Sequence, residues 1–391
     1  MILSDVCEFI VDCPHSTAPD EGEGYPLIRT PNVGKGRLDL NGVHRVSESV
    51  YKQRIQRGAP RANDLIFARE APAGNVALVQ ENQTVCLGQR TVLIRPNVQK
   101  VNPQYLVYYL LSPEPQYELL GTANGATVAH VNLPAIRNLK IELPEKSVQD
   151  KIGTILVTYD DLIENNQRQI KLLEEAAQRL YKEWFVDLRF PGYENTKFVD
   201  GVPEGWSKST VGNICKLRKV VITPDKIEAN TPYIGLEHMP RNDICLSTWG
   251  KSEEINSNKF IYLKKDVLFG KIRPYFHKVG FALNDGITST DTMVMVADQN
   301  LWGLLLVTVS SDAFVDFSYQ NCKEGAKMPR ADWKQMEKYA IMIADQATQK
   351  LFEQEILVIT NKISALAFQC RSLREARDRM LPKLMGGEVE V

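Results

Sequence analysis

Two short strings have the residue types for chemistry. Asn-Pro-Gln-Tyr at 102–105 has the outline of the Asn/Asp-Pro-Pro-Tyr loop that holds an amino group for methyl transfer, and Asp332-Trp333-Lys334, with Asp316 upstream, has the outline of a metal-binding acid pair with a lysine. Both fail on their surroundings. The first lacks the second proline, no Gly-rich cofactor loop precedes it, and Gly34-Lys35-Gly36 lacks the strand-to-helix spacing of a dinucleotide fingerprint. Each string sits where a polar residue can start a helix, so Asn102 and Asp332 read as N-caps. The seven cysteines include no Cys-x-x-Cys pair and the five histidines no HExxH, so neither a zinc site nor a disulfide framework is suggested. Cys7 and Cys13 could pair; buried free thiols are the expectation. Without a Walker lysine loop or a nucleophile elbow, the residues describe a binding scaffold.

Charge distribution says what it would bind. The 391 residues carry a formal charge of −1, with 43% hydrophobic and 24% charged residues, as expected of two or three soluble domains. Residues 1–24 hold six acids and no Lys or Arg, whereas 25–100 hold twelve Lys and Arg against five acids and 208–278 thirteen against seven. Such charge runs are usually solvated surface, but a basic lobe in each half of a nearly neutral chain raises the nucleic-acid reading. The opening Met-Ile-Leu-Ser-Asp has no basic n-region, and the most apolar window, 301–314, is too short for a bilayer. A cytoplasmic protein with no membrane contact is expected.

The elements that position these lobes occur twice. "LLEEAAQRLYKEWF" at 172–185 and "SLREARDRMLPKLM" at 372–385 share Leu173/Leu373, Glu175/Glu375, Ala176/Ala376 and Arg179/Arg379, an offset of 200. "NDLIFAREAP" at 63–72 faces "KDVLFGKIRP" at 265–274, which aligns Asp64 with Asp266, Arg69 with Lys271 and Pro72 with Pro274. Asn102 and Asn300 each precede an apolar run and are expected N-caps. Gly-Ala turns at 125–126 and 325–326 lead to polar caps (Asn132, Asp332), short helices, and alternating strands at Leu139, Ile141, Leu143 and at Tyr339, Ile341, Ile343.

The long helices carry a four-three seam: Ile152, Leu156, Tyr159, Ile163, Asn166, Ile170, Leu173, Ala177, Leu180 and Trp184, then Phe352, Ile356, Ile359, Ile363, Leu366, Cys370, Leu373, Arg377, Met380 and Leu384. That is a coiled-coil pattern, in which Asn166 either fixes register or marks a solvated edge. At 1.5 Å per residue each rod is roughly 50 Å long. The Gly/Pro-rich connection would allow either direction, but an antiparallel pair places one globular half at each end, related by a pseudo-two-fold axis. The expected fold is α+β, with two pseudo-repeated α/β domains joined by two long helices in an antiparallel coiled coil. The divisions are 1–145, a first domain; 146–185, a helix; 186–207, a linker; 208–345, a second domain; 346–385, a helix; and 386–391, a tail.

The strings "LYKEWFVDLRFPGYE" (180–194), "VPEGWSKSTVGNI" (202–214) and "RMLPKLMGGEVEV" (379–391), with the duplicated helix starts at Gln149 and Gln349, resemble the specificity subunit of type I restriction-modification systems. The resemblance spans nearly the whole chain, although "IELP" of the first helix start becomes "IMIA" in the second. It implies that each half is a target recognition domain for one part of a bipartite double-stranded DNA sequence, and that the helices form a spacer which docks two modification subunits. Those partners would bind S-adenosylmethionine and methylate adenine after flipping it from the duplex. Restriction subunits, which are motor-nucleases using ATP and Mg, would join for cleavage. This chain itself would hold no catalytic group, no metal and no cofactor.

Recognition-domain contacts do not carry over by motif, so the DNA-binding candidates rest on charge and repeat position: Arg29, Lys35, Arg37, Arg69, Arg90 and His130, then Lys271, Arg273, Lys327 and Arg330. Arg69/Lys271 and His130/Arg330 match across the repeat beside Gly or Pro turns. Trp184, Phe185 and Leu384 at the helix ends are candidates for partner docking, against packing on the adjoining domain. The rival readings are a stand-alone DNA methyltransferase or nuclease with a divergent site, and a coiled-coil adaptor that binds proteins only.

Overall fold

The computed structural model describes residues 1–121, 130–252, 255–322 and 328–391. The chain divides into two compact units, Met1–Glu164 with Arg371–Val391, and Asn165–Cys370. Each unit therefore takes part of both long helices.

The first unit contains strands β1 (Cys7–Asp12), β2 (Tyr25–Ile28), β3 (Gly36–Arg37), β4 (Arg45–Val46), β5 (Leu65–Ala68), β6 (Val76–Leu78), β7 (Cys86–Leu87) and β8 (Thr91–Pro96). Helices α1 (Glu48–Arg54), α2 (Pro103–Leu111), α3 (Pro113–Gly121) and α4 (Leu133–Arg137) accompany them, and α5 (Lys146–Tyr181) leads into the second unit. The main sheet has the order β1-β8-β5-β6-β3, antiparallel except for the β6–β3 pair. Leu65 and Phe67 turn to the layer of α2, with Leu106 and Leu110, while Ile66 and Ala68 turn to the opposite layer, with Ile28 and Leu87. With both faces covered, the strand reads in sequence as one apolar run rather than as an alternation.

The second unit contains β9 (Phe198–Val199), β10 (Val202–Pro203), β11 (Ser207–Thr210), β12 (Lys216–Leu217), β13 (Val221–Ile222), β14 (Tyr233–Ile234) and β15 (Cys245–Leu246). It continues with β16 (Lys259–Tyr262), β17 (Val267–Gly270), β18 (Val279–Ala282), β19 (Gly286–Thr288), β20 (Thr292–Val296) and β21 (Ala340–Ile343). Its helices are α6 (Val211–Ile214), α7 (Trp302–Val309), α8 (Asp312–Gln320), α9 (Trp333–Met336) and α10 (Gln346–Met385), the last running back into the first unit. The order β12-β20-β17-β18-β15 repeats the first main sheet strand for strand, again with only the last pair parallel. The smaller sheets differ: β4-β2-β7 in one unit, β13-β16-β19-β14 in the other.

The long helices run antiparallel inside each unit. Arg377 meets Asp160 and Lys151 reaches Val391 in the first; Asn166 donates to Gln369 Oε1 over 3.4 Å and Trp184 lies 5.6 Å from Phe352 in the second. The covered strip is wider than the two-in-seven seam. Ile152, Leu156, Ile163, Asn166, Phe352, Ile356, Ile363 and Leu366 are buried, but Tyr159, Ile170, Leu173, Leu180, Ile359, Leu373 and Met380 are half-buried. Asp160, Glu174, Glu353 and Thr360 are buried beside them, because the globular layers cover the helices as well.

Several expectations need correction. Of the two readings of Trp184, Phe185 and Leu384, docking gives way to packing: a π-helical turn at Lys182–Val186 folds Trp184 and Phe185 onto Phe352 and Trp206, and Leu384 is 2% exposed in the first unit's core. The stretch 139–143 forms a single bridge, Ile2↔Lys140, where the second unit has the four-residue pairing β11–β21. Asn132 makes no capping bond, whereas Asp332 accepts from the Lys334 N–H. Asn102 Oδ1 caps α2 by accepting from the Tyr105 N–H, but Asn300 does not cap α7. There Glu353 of α10 accepts from the N–H groups of Gly303 and Leu304, at 2.7 and 3.0 Å. The Gly-Ala turns at 125–126 and 325–326 lie outside the described residues. Among the described residues no helix is long and apolar enough to cross a membrane.

Candidate nucleic-acid interface

Each main sheet ends in the same backbone bracket. Arg69, directly after β5, donates its N–H to the carbonyl of Arg90 at the start of β8 (2.9 Å), and its own carbonyl accepts from Val131 N–H (3.0 Å). Lys271, directly after β17, donates to Asp291 at the start of β20 (2.8 Å) and accepts from Ala331 N–H (2.9 Å). Three segments are thereby held at one corner of each sheet. The side chains gathered there are Arg69, Arg90 and His130 in one unit, and Lys271, Asp291 and Arg330 in the other.

In the first unit the corner is an ion-pair chain. Arg69 is 8% exposed and donates to Asp12 Oδ2 (2.7 Å), to the Val131 carbonyl (2.8 Å) and toward His130 Nε2 (2.7 Å). A guanidinium can only donate, so His130 Nε2 accepts; the imidazole proton then sits on Nδ1 and points at Glu70 Oε1, 2.5 Å away. Glu70 also pairs with Arg90 at 2.6 Å. The charge of Arg69 is thus matched inside the protein, whereas Arg90 is exposed.

The second corner uses other groups. Lys271 donates from Nζ to the Thr290 carbonyl at 2.7 Å, and burial pushes its pKa down while Asp291 opposes the shift. Exposed Arg330 pairs with Asp291. Arg273 is half-buried at φ 50°, with its guanidinium 5.7 Å from the Phe276 ring centroid and its N–H donated to the Pro329 carbonyl.

The remaining candidates lie elsewhere. Lys35 is exposed beside β3; Arg37 pairs with Asp161 of α5; Arg29 is half-buried at the end of β2. Arg29 and Arg37 each keep a buried Nε with no hydrogen-bond partner among the described residues. Lys327 lies outside the described residues. Sequence reasoning missed the balancing carboxylates Asp12, Glu70 and Asp291, and also Arg241, whose guanidinium lies 4.0 Å from the Phe276 ring centroid. Arg241 belongs to the basic lobe at 208–278, so charge density was the available signal.

Two like sheets, each closed by the same backbone bracket, on one chain with paired long helices define a repeated two-unit scaffold. Residues 1–175 match the family model described as type I restriction modification DNA specificity domain. The MjaIX specificity subunit of Methanocaldococcus jannaschii is 25% identical over 383 residues, covering 90% of this chain and 83% of that protein. The EcoBI specificity subunit of Escherichia coli is 26% identical over 178 residues, 42% of this chain and 37% of that protein. The type I restriction-modification S subunit from M. genitalium shares the fold, with a TM-score of 0.57 at 14% identity over 98% of this chain and 95% of that one. The chain is thus similar to the type I restriction-modification DNA specificity domain over residues 1–175, and to a type I specificity subunit over most of its length.

Proposed function

We propose that the chain is the DNA-reading subunit of a type I restriction-modification complex, with each unit reading one half of a bipartite double-stranded target. The observation that carries this reading is the recurrence of the same five-strand order and the same backbone bracket in both units. Two tethered readers act at high effective concentration on one another, so a split site is bound tightly although each reads only a few base pairs.

The exposed cations Lys35, Arg90 and Arg330, with Arg273, are the proposed phosphate and base contacts; Arg29 and Arg37 supply further donors. Arg69 and Lys271 position them. The partners are two modification subunits, which bind S-adenosylmethionine and methylate adenine, and restriction subunits that use ATP and Mg. In this reading the chain contributes no catalytic group and works in the cytoplasm, where its DNA is.

Co-expression with cognate modification subunits followed by single-molecule methylome sequencing tests the proposal. Adenine methylation at one split motif is expected. An assembled complex that methylates no such motif overturns it, and methylation or cleavage by the purified single chain, given S-adenosylmethionine or Mg²⁺, would make it an enzyme instead.

A further inference from the structure

The turn between β17 and β18 and the facing end of α8 carry exposed aromatic rings. Tyr275 and Tyr319 are each 46% exposed, and their centroids lie 5.2 Å apart at 76°. Phe276 lies 4.9 Å from Tyr275, with Arg241 and Arg273 at 4.0 and 5.7 Å from its ring. Among the described residues neither guanidinium meets a carboxylate.

This cluster is held rather than loose. Arg273 and His277, both at φ 50°, flank the turn, which closes through Phe276 N–H to Arg273 and His277 N–H to Pro274, each 2.8 Å. His277 Nε2 lies 2.8 Å from the Ser310 carbonyl, and the His277 carbonyl accepts from Asn242 N–H on the segment that bears Arg241. Two non-glycine residues in the left-handed region are strained. Their strain is borne in a turn that presents Tyr275 to solvent.

Exposed rings set among guanidinium groups that meet no carboxylate among the described residues suit a flat, electron-rich ring joined to phosphate. We infer that Tyr275 and Tyr319, framed by Arg241 and Arg273, form a stacking site for an unstacked nucleobase. The inference rests on the proposed function and adds an asymmetry to it. The matching turn of the first unit is Ala71-Pro72-Ala73-Gly74, without an aromatic ring, and α3 meets it with Gln116, whose Nε2 donates to the Gly74 carbonyl. Base stacking of this kind therefore belongs to one half-site only.

The test measures binding of the full chain, assembled with its modification subunits, to a mixed-sequence 30-mer (about three helical turns) as duplex and as single strand. Wild type, Tyr275→Ala, Tyr275→Phe and Tyr319→Ala are compared. Both alanine variants should weaken binding by roughly ten- to a hundredfold, with Tyr275→Phe near wild type. Loss on the single strand alone supports a site for bases already open; loss on both supports one that takes a base drawn from the duplex. Alanine variants that bind both probes like wild type overturn the inference and leave the proposed function standing, and the cluster then faces a protein. A Tyr275→Phe variant as weak as alanine overturns stacking, since the ring is retained. Wild type that binds neither probe overturns both readings.

Discussion

Arg377 donates from Nη1 to Asp160 Oδ1 over 2.5 Å, joining residues 217 positions apart on the two long helices. Asp160 is 3% exposed and its second oxygen accepts from Tyr108 Oη of α2, also at 2.5 Å. One carboxylate thus binds both helices to the sheet layer of the first unit. Burial, with Asp160 next to it, drives the Tyr108 hydroxyl pKa upward, so the phenol keeps its proton and remains a donor.

Removing one partner leaves a buried charge unmatched. Arg377→Ala should lower the unfolding free energy by about 3 kcal/mol, and replacing Arg377 by Met together with Asp160 by Asn should recover part of it. Urea denaturation followed by circular dichroism reads both; a loss that the double variant fails to reduce would show that packing, not the charge, is responsible.

Trp184→Ala should destabilise the second unit by about 3–5 kcal/mol, as expected for a buried aromatic that contacts Phe352. If Trp184 docked a partner instead, the variant would melt like wild type and fail only in assembly, which size-exclusion chromatography with the modification subunits would reveal.

Glu174 accepts from the N–H groups of Ile244 and Cys245 at 3.0 and 3.1 Å, yet burial first, and then Asp243, push its pKa up to about 8 from 4.5. The folded state holds this proton more tightly than the unfolded chain does. Its contribution to stability is therefore full below the ordinary carboxylate range and is lost as pH rises through about 8. Denaturation midpoints should fall from pH 5 to pH 8.5, and Glu174→Gln should flatten that slope; an equal slope in the variant would contradict the assignment.

Exposed and ion-paired cations of the first unit should separate in salt titrations. Arg90→Ala and Lys35→Ala should each reduce the slope of log affinity against log salt by about 0.9, one phosphate contact apiece. Arg69→Met should leave the slope nearly unchanged and instead destabilise the unit by about 3 kcal/mol, because Asp12 loses its partner. A slope change for Arg69→Met as large as that for Arg90→Ala would return Arg69 to the contact surface.

Adding one heptad to both α5 and α10 lengthens the paired helices by about 10 Å, close to three base pairs. The gap in the methylated motif should widen accordingly. An unchanged gap in an active complex would show that the helices do not set the spacing.

The repeat and the helix seam were legible because identical local tasks kept similar residues: Asp64 and Asp266, just before β5 and β17, each accept from the backbone N–H three residues earlier, Arg61 and Leu263, at 2.9 Å. The strand order was not, since Leu65–Ala68 is apolar on both faces and no periodicity says which neighbours it pairs with. The sequence left Trp184 open between docking and packing, because an aromatic at a helix end looks the same whether it is turned inward by a π-helical turn or left in solvent. At the corners, the positions of Arg69 and His130 were found by charge and alignment, but their pairing with Asp12 and Glu70 joins residues up to 60 positions apart. No local pattern records such pairing.

The capping of α2 and α7 shows one task solved from opposite sides. In the first unit Asn102 caps its own helix and Gly153 of α5 makes room, with an added Cβ there only 3.0 Å from the Tyr105 nitrogen. In the second the glycine is Gly303 on the short helix and the cap is Glu353 on the long one. A hybrid that grafts the first globular half onto the second long helix would bring Asn102 against Glu353 and crowd the cap, and the reverse graft would set Gly303 against Gly153 with two amides bare. The halves share an architecture but are not interchangeable parts: a working exchange has to carry each short helix together with the stretch of long helix that was shaped to receive it.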